Sequence, residues 1–394
     1  MTTLVLVVVD ALRKDVAYGD RVDTPSIDRL MERGTALDHA YANGPATAAA
    51  FPAILASSRV NDSSGCPDTT TVAAALQEEG FETIGISTNP NAGPYYGYDR
   101  GFDEFVDFVK TSAEKEERSL LFRIGRKIAH SSDRLYSFIR KQTAKMDLPY
   151  ERAETLNEAV FDRLSDGTDQ FLFIHYMEPH YPYLPPAGYV DEESAAWQER
   201  YEVNEAIKAH DDSPRPELTG KMWTLYGGEV RYLDEQLGAL LDRLDALDDD
   251  TVILFTADHG DQFGEHGSYL HSSVLYNVQM NVPFIVDGVD VAGELASHLD
   301  IGPTLLGHVD GAEAAFDGID LAGEERDSVS VALDDQRFVA TPQWKLLDDG
   351  ETLRLFDIDD YLEDDDLAGE RPEVVEELAP MLGDKRRAVE GIDI

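Results

Sequence analysis

Two apolar, β-branched runs limit what this chain can fold into: Leu4 to Val9 (LVLVVV) and Thr251 to Phe255 (TVILF). Neither alternates polar with apolar residues, so each reads as a strand buried on both faces, as in the interior of a parallel sheet. The first run ends directly in Asp10, and the second leads through Thr256 and Ala257 to Asp258, His259 and Gly260. In a parallel sheet both acids leave by the same edge, and open α/β sheets carry their ligands at the carboxyl ends of the strands. Hard carboxylate oxygen beside a borderline imidazole nitrogen suits one divalent ion such as Mn, Zn, Ca or Mg. Glu265, His266 and His271 follow in a short loop, where Gly260, Gly264 and Gly267 permit tight folding and close approach to a ligand. Taken alone, an Asp-His pair fits a polar surface loop equally well, and Asp10 fits a helix cap.

The rest of the chain supplies further groups at strand ends. Thr24-Pro25-Ser26 opens a helix through Arg33 that Gly34 closes. Ala46 to Ser57 is helix-compatible, with Pro52 limiting or kinking it, and Thr47 falls near its N-terminus. A threonine there reads as an N-cap. The same geometry favours an anion, and a metal-bound Thr47 alkoxide could attack phosphorus or sulfur. Thr83 to Ser87 is a strand followed by the loop Thr88-Asn89-Pro90-Asn91, whose groups can reach a ligand. Gln170 to Tyr176 is another strand, followed by Met177-Glu-Pro-His180-Tyr-Pro-Tyr183. The long helix Lys221 to Leu247 leads straight into the Thr251 strand, a helix-to-strand step of a doubly wound sheet. After about residue 310 short strands and a final helix, Glu373 to Leu382, suggest a smaller unit. The expected fold is therefore α/β, a doubly wound, mostly parallel sheet over residues 1–310, with a small C-terminal α+β subdomain over 311–394.

Charge restricts the partners. The 394 residues hold 78 acids against 33 bases, a net charge of −45, yet 42% are hydrophobic, so an acidic shell surrounds an ordinary core. This resembles proteins of a salt-rich cytoplasm, as in halophilic archaea, and disfavours nucleic acid as a partner, because the overall field repels phosphate backbones. The lone Cys66, the early start of the first strand and the lack of a long apolar run give the expectation of a cytoplasmic protein. Residues 107–150 break the pattern: from Lys110 to Lys145 there are ten bases and four acids, interleaved with Leu120, Leu121, Ile124 and Ile128. That composition suits a basic amphipathic helix able to make peripheral contact with an anionic membrane or cradle a polyanion. It suits equally a helical insertion whose bases pair with the protein's own acids. In molar salt the Debye length is only ~3 Å, so charge attraction to a membrane would be weak there.

In order along nearly the whole chain, these pieces resemble the sulfatase-type branch of the alkaline phosphatase superfamily: Asp10, TPSIDRLMERG, the Thr47 segment, EPHYPY, TADHG…GEHG…H, DIGPTLL and LFDIDDYLEDDDLA. The resemblance implies that Asp10, Thr47, Asp258 and His259 hold one divalent metal and that Thr47 is the nucleophile. It implies that His180 and His271 bind the transferred anion or protonate the leaving oxygen, with Asn89 and His266 at the substrate. His271 stands where many sulfatases have a lysine. The sequence departs from the C/S-x-P-S-R motif that yields formylglycine: here Thr47-Ala-Ala-Ala-Phe51 has neither the oxidisable residue nor the arginine. Ala11 replaces the usual second acid, and Thr88-Asn89-Pro90-Asn91 replaces a GKWH-like segment. The quartet is similar instead to the single-metal site of phosphoethanolamine and phosphoglycerol transferases. Nucleotide pyrophosphatase-type phosphodiesterases use threonine with a second metal, for which His180, His266 and His271 are present without a clear acid partner.

The expectation is a metal-dependent, formylglycine-independent hydrolase or transferase of phosphate or sulfate esters, with a small-molecule, glycan or lipid-linked substrate. Its alternative is a catalytically silent binding protein that uses the basic 107–150 segment. The sequence gives no oligomeric state.

Overall fold

The Thr2–Val9 strand is the spine of a seven-stranded sheet, whose order is Thr35–Ala36, Phe284–Asp287, Asp250–Ala257, Thr2–Val9, Gln170–Tyr176, Glu82–Ser87, Glu104–Asp107. Asp250 to Asp107 in that order run parallel, while Phe284–Asp287 is antiparallel to its neighbours on both sides. This is the mostly parallel α/β sheet expected. Leu4 to Val9 have no solvent exposure at all, which is why that stretch carries no polar alternation. The computed structural model describes residues 1–61, 63–108, 148, 150–194, 196–208, 215–247, 249–271 and 274–383. The basic segment read at 107–150 falls almost wholly outside the described residues.

Helices cover the sheet in two groups. Pro25–Arg33 and Ala153–Phe161 pack on the long Pro216–Leu244 helix, while Thr47–Ala56, Val72–Glu78 and Ile301–Gly307 pack on one another. Local chemistry matches the ends: Pro25 sits in the first turn of its helix with Gly34 as C-cap, and the Thr71 side chain accepts from the Ala74 N–H.

Register decides what meets at the sheet's carboxyl edge. Val9 lies level with both Tyr176 and Ala257, and Ser87 is level with His175. The ladder continues one residue further, Asp10 N donating to Tyr176 O at 2.9 Å and Asp258 N to Val9 O at 3.1 Å. Asp10 and Asp258 therefore emerge side by side, with the segments after Ser87 and Tyr176 next to them.

Residues Val329–Leu333, Gln336–Ala340, Trp344–Asp348 and Leu353–Asp357 form a separate antiparallel sheet, followed by the Pro372–Leu378 helix. It is tied to the main body by a buried ion pair: Lys345 Nζ lies 2.7 Å from Glu363 and donates at 2.8 Å to both Leu275 O and Asn277 Oδ1. Glu363 also accepts from the Asn277 N–H at 2.6 Å. Breaking one partner of such a pair leaves an uncompensated buried charge, so Lys345→Met should destabilise the fold by about 3–5 kcal/mol. In denaturant unfolding, Lys345→Met/Glu363→Gln should lose clearly less than the single variant; an equal loss would show that packing, not charge pairing, sets the stability here.

Candidate active site

The Thr47–Ala56 helix points its first residue at the acids. Ala46 is the N-cap and has no side chain to cap with, so Thr47 occupies the first helical turn and makes no cap bond. The N-cap reading of Thr47 is corrected accordingly: its hydroxyl faces Asp10 Oδ2 at 3.4 Å rather than its own helix. Pro52 lies within that helix, which is apolar and buried on all sides apart from Ala48. Asn89 comes in from the end of the Glu82–Ser87 strand, two strands away, its amide donating to Asp10 Oδ2 at 2.7 Å and standing 3.4 Å from Thr47 Oγ1.

Three donor atoms converge opposite these groups. His259 Nε2 is 3.6 Å from Asp10 Oδ1 and 3.7 Å from Asp258 Oδ2. All three residues are fully buried, and these same three atoms lack a hydrogen-bond partner. Their other atoms are committed: Asp258 Oδ1 accepts from Ala11 N at 3.1 Å and His259 N at 2.8 Å, and His259 Nδ1 is 2.9 Å from Gly260 O. Buried polar groups are normally satisfied, so a cluster of orphan oxygens and an imidazole nitrogen within 4.8 Å of one another fits a divalent cation. Without a cation the two acids compete. Burial and then the charge of Asp258 push Asp10 well above the carboxylate range. At Asp258 burial acts upward too, but His259, His175 and the Ala11 N–H outweigh it and the net direction is down.

Backbone geometry makes room for this. Ala11 has φ 58°, a left-handed position that turns its N–H onto Asp258, taking over a place where an acid was expected. A side chain on Gly260 would lie 2.1 Å from Val278 O, so only glycine lets the chain leave His259 along this path.

Imidazoles line the open side. His180 Nε2 stands 4.0 Å from Asp10 Oδ1, and burial together with neighbouring His271 pulls its pKa down to about 4. His271 packs 4.7 Å from the His259 ring and 5.5 Å from that of His180. The expected Asp10, Thr47, Asn89, His180, Asp258, His259 and His271 are thus brought together. His266 is stacked on the Tyr276 ring at 3.7 Å instead, and no described contact joins it to Asp10 or Thr47.

Two groups were missed in the sequence. His175, on the strand itself, sets Nε2 3.8 Å from Asp10 Oδ2 and bonds Ser87 Oγ through Nδ1; burial draws it to about 4, so it is neutral. Its signal was a lone polar residue in the run QFLFIHY. Asp261, fully buried, lies 3.2 Å from His271 Nδ1 and accepts from the Tyr183 hydroxyl at 3.0 Å. No local pattern singled it out in a chain with 78 acids.

Comparison with known proteins gives the family and the fold. The sulfatase family profile matches residues 2–312. The chain belongs to the sulfatase family. It is 25% identical to iduronate 2-sulfatase of Homo sapiens over 372 residues, covering 79% of this chain but only 64% of that protein. It is 30% identical over 177 residues to the low-salt glycan biosynthesis sulfotransferase Agl7 of Haloferax volcanii, covering 42% of this chain and 40% of that one. Among solved structures, the phosphonate monoester hydrolase of Agrobacterium radiobacter superposes with a TM-score of 0.70 at 17% identity, over 96% of this chain and 94% of its own. A protein solved with its substrate D-glucosamine-2-N,6-O-disulfate gives 0.71 at 16% identity, over 96% of both chains. Among the described residues of this sulfatase-family chain, no helix is long and apolar enough to cross a membrane.

A ligand that binds only the folded state stabilises it, by about 2.7 kcal/mol at a hundredfold excess over its Kd. Manganese or zinc should therefore shift thermal unfolding of the wild-type chain upward. Asp258→Asn should abolish that shift and the bound metal found by elemental analysis; an undiminished shift would place the cation elsewhere.

Proposed function

We propose that this sulfatase-family chain is a divalent-metal-dependent hydrolase or transferase of sulfate or phosphate esters, in which Thr47 is the nucleophile. The observation that carries the reading is the Thr47 hydroxyl, uncommitted to its helix and 3.4 Å from Asp10, beside three orphaned cation donors. Asp10, Asp258, His259 and Thr47 would hold the ion, which would polarise the ester and favour the threonine alkoxide. Every other element is protein. The first turn of the Thr47–Ala56 helix presents its positive end where the anionic group must sit. Asn89 holds Asp10 and stands beside the Thr47 oxygen. His180 and His271 border the open side and would contact the transferred group and the bridging oxygen. Threonine cannot be converted to formylglycine, so the chemistry proceeds through an ester of Thr47 that water or an alcohol resolves.

The names of the relatives support a small-molecule or glycan ester as substrate, and they span both outcomes: a sulfatase and a hydrolase on one side, a sulfotransferase on the other. Charge narrows the class further. Among the described residues no lysine or arginine pairs with the carboxylates of Asp10, Asp258 or Asp261, and Arg13 is held by Asp15 and Glu265. A site whose positive charge would come from one cation, with His175 and His180 neutral, suits a singly charged ester better than a dianion.

Initial rates in molar KCl with added divalent metal test this. Thr47→Ala should lower the rate by roughly 10³-fold or more, the scale of losing a nucleophile; full activity in that variant would remove the mechanism. A sulfate monoester or phosphodiester should be turned over at least about tenfold faster than a phosphomonoester dianion, a difference of about 1.4 kcal/mol. Metal bound with no turnover on any ester would instead support a binding protein on this scaffold.

A further inference from the structure

Asp261 is satisfied on every oxygen without being one of the converging cation donors. Its Oδ1 lies 3.2 Å from His271 Nδ1, its Oδ2 accepts from Tyr183 Oη at 3.0 Å, and its carbonyl accepts from Arg13 Nη1 at 2.9 Å. Those partners are themselves fixed. Tyr183 is fully buried and packs edge-on against Tyr226 and Phe263, and Arg13 is clamped by Asp15 and Glu265 at 2.8 Å each. The carboxylate cannot turn, so the ring it holds cannot turn freely either. With Nδ1 committed, His271 has one nitrogen left, Nε2, and its side chain, 24% exposed, is on the open side of the cluster.

A second cation is the competing explanation, since donor atoms of His259, Asp261 and His271 also lie within 4.8 Å of one another. The geometry disfavours it. His259 has a single free nitrogen, Nε2, which already stands 3.6 Å from Asp10 and 3.7 Å from Asp258, while its Nδ1 is taken by Gly260 O. That leaves Asp261 and His271 as ligands of their own, fewer than the three protein ligands of an ordinary catalytic site.

We propose that Asp261 is a positioning residue: held by Tyr183, it keeps the His271 Nδ1 proton and turns Nε2 to the bridging oxygen of the ester, so that His271 serves the leaving group. This rests on Thr47 being the nucleophile. Starting from ionised Thr47 and His271 protonated on both nitrogens, the Thr47 oxygen bonds to the phosphorus or sulfur as the bond to the bridging oxygen breaks. The electron pair goes to that oxygen, which takes the Nε2 proton. In the second step the acceptor, water or an alcohol, returns a proton to Nε2 as its oxygen bonds to the same centre. The Thr47 ester bond breaks, and its electron pair goes back to the threonine. Throughout, the Nδ1–H stays on Asp261. A lysine in place of His271 would have no second nitrogen to be held this way.

The experiment compares 4-nitrophenyl and phenyl esters of whichever class the metal-loaded wild type turns over, because a poor leaving group needs the proton and a good one does not. His271→Ala and Asp261→Asn should each lower kcat on the phenyl ester by roughly 10²- to 10⁴-fold, with a loss under about tenfold on the 4-nitrophenyl ester. The double variant should be no worse than His271→Ala, as for residues acting as one unit. Equal losses of Asp261→Asn on both esters, or none, overturn the proposal. So does a metal content of two ions per wild-type chain that falls to one in Asp261→Asn. Nitrogen-15 imidazole spectra of the metal-loaded wild type give a readout that needs neither turnover nor a folded variant. Neutral His271 should carry its proton on Nδ1, and a predominant Nε2–H form overturns the assignment. A Thr47→Ala variant with undiminished rates would remove the nucleophile reading alone, leaving that spectrum to decide the Asp261 contact.

Discussion

Two carboxylates buried side by side, with no cationic side chain against them among the described residues, set the terms for this structure. Asp10 and Asp258 leave adjacent parallel strands at the same level because Val9 is paired with Ala257. Neither can reach water, since both are fully buried. Taking charges out of water costs several kcal/mol per ion unless a partner compensates. Backbone N–H groups, an asparagine amide and neutral imidazoles offset part of that cost, and one face of each carboxylate is still left open toward His259 Nε2. A divalent cation held between them would remove the conflict.

What surrounds the acids follows from that requirement. The left-handed turn at Ala11 costs of order 1–3 kcal/mol, and it is retained where its N–H meets Asp258. The helix that carries Thr47 begins at an alanine, so nothing competes for the hydroxyl. The loop after Gly260 doubles back far enough to set His271 against His259, and Asp261 with Tyr183 fixes its end. Support comes from beneath, from the strands that carry the acids, and the C-terminal sheet is anchored to the main body through Lys345 and Glu363. Reactive groups placed at strand and helix ends inherit the precision of those elements, which a mobile surface loop lacks.

The sulfatase family membership and the threonine together place the chain in an instructive position. The sulfatase family model matches residues 2–312, and the Thr47 segment reads Thr-Ala-Ala-Ala-Phe, with neither cysteine nor serine in it. The threonine still lies beside the acids, as a nucleophile would have to. Fold therefore does not decide the reaction here; the side chains at one sheet edge do.

The strands, the acids that end them and the Thr47 helix were legible in the sequence because they are local. Apolar runs without alternation, proline and glycine at helix ends, and an acid next after a buried strand each carry their meaning within a few residues. The order of these segments also carried the family. Three things lay beyond it. Thr47 as an uncapped hydroxyl depends on where the helix starts, and one residue changes its role from cap to candidate nucleophile. His266 and His271 look equivalent in the loop, yet one stacks on Tyr276 and the other on His259, because backbone turns at Gly264, His266, Gly267 and Leu270 direct them differently. Asp261 was one acid among 78, and only the packing of Tyr183, from a loop 78 residues earlier in the chain, made it a partner for an imidazole. Composition and periodicity report what a residue does for its own segment, whereas a contact between distant segments is decided by the register and packing of the whole sheet.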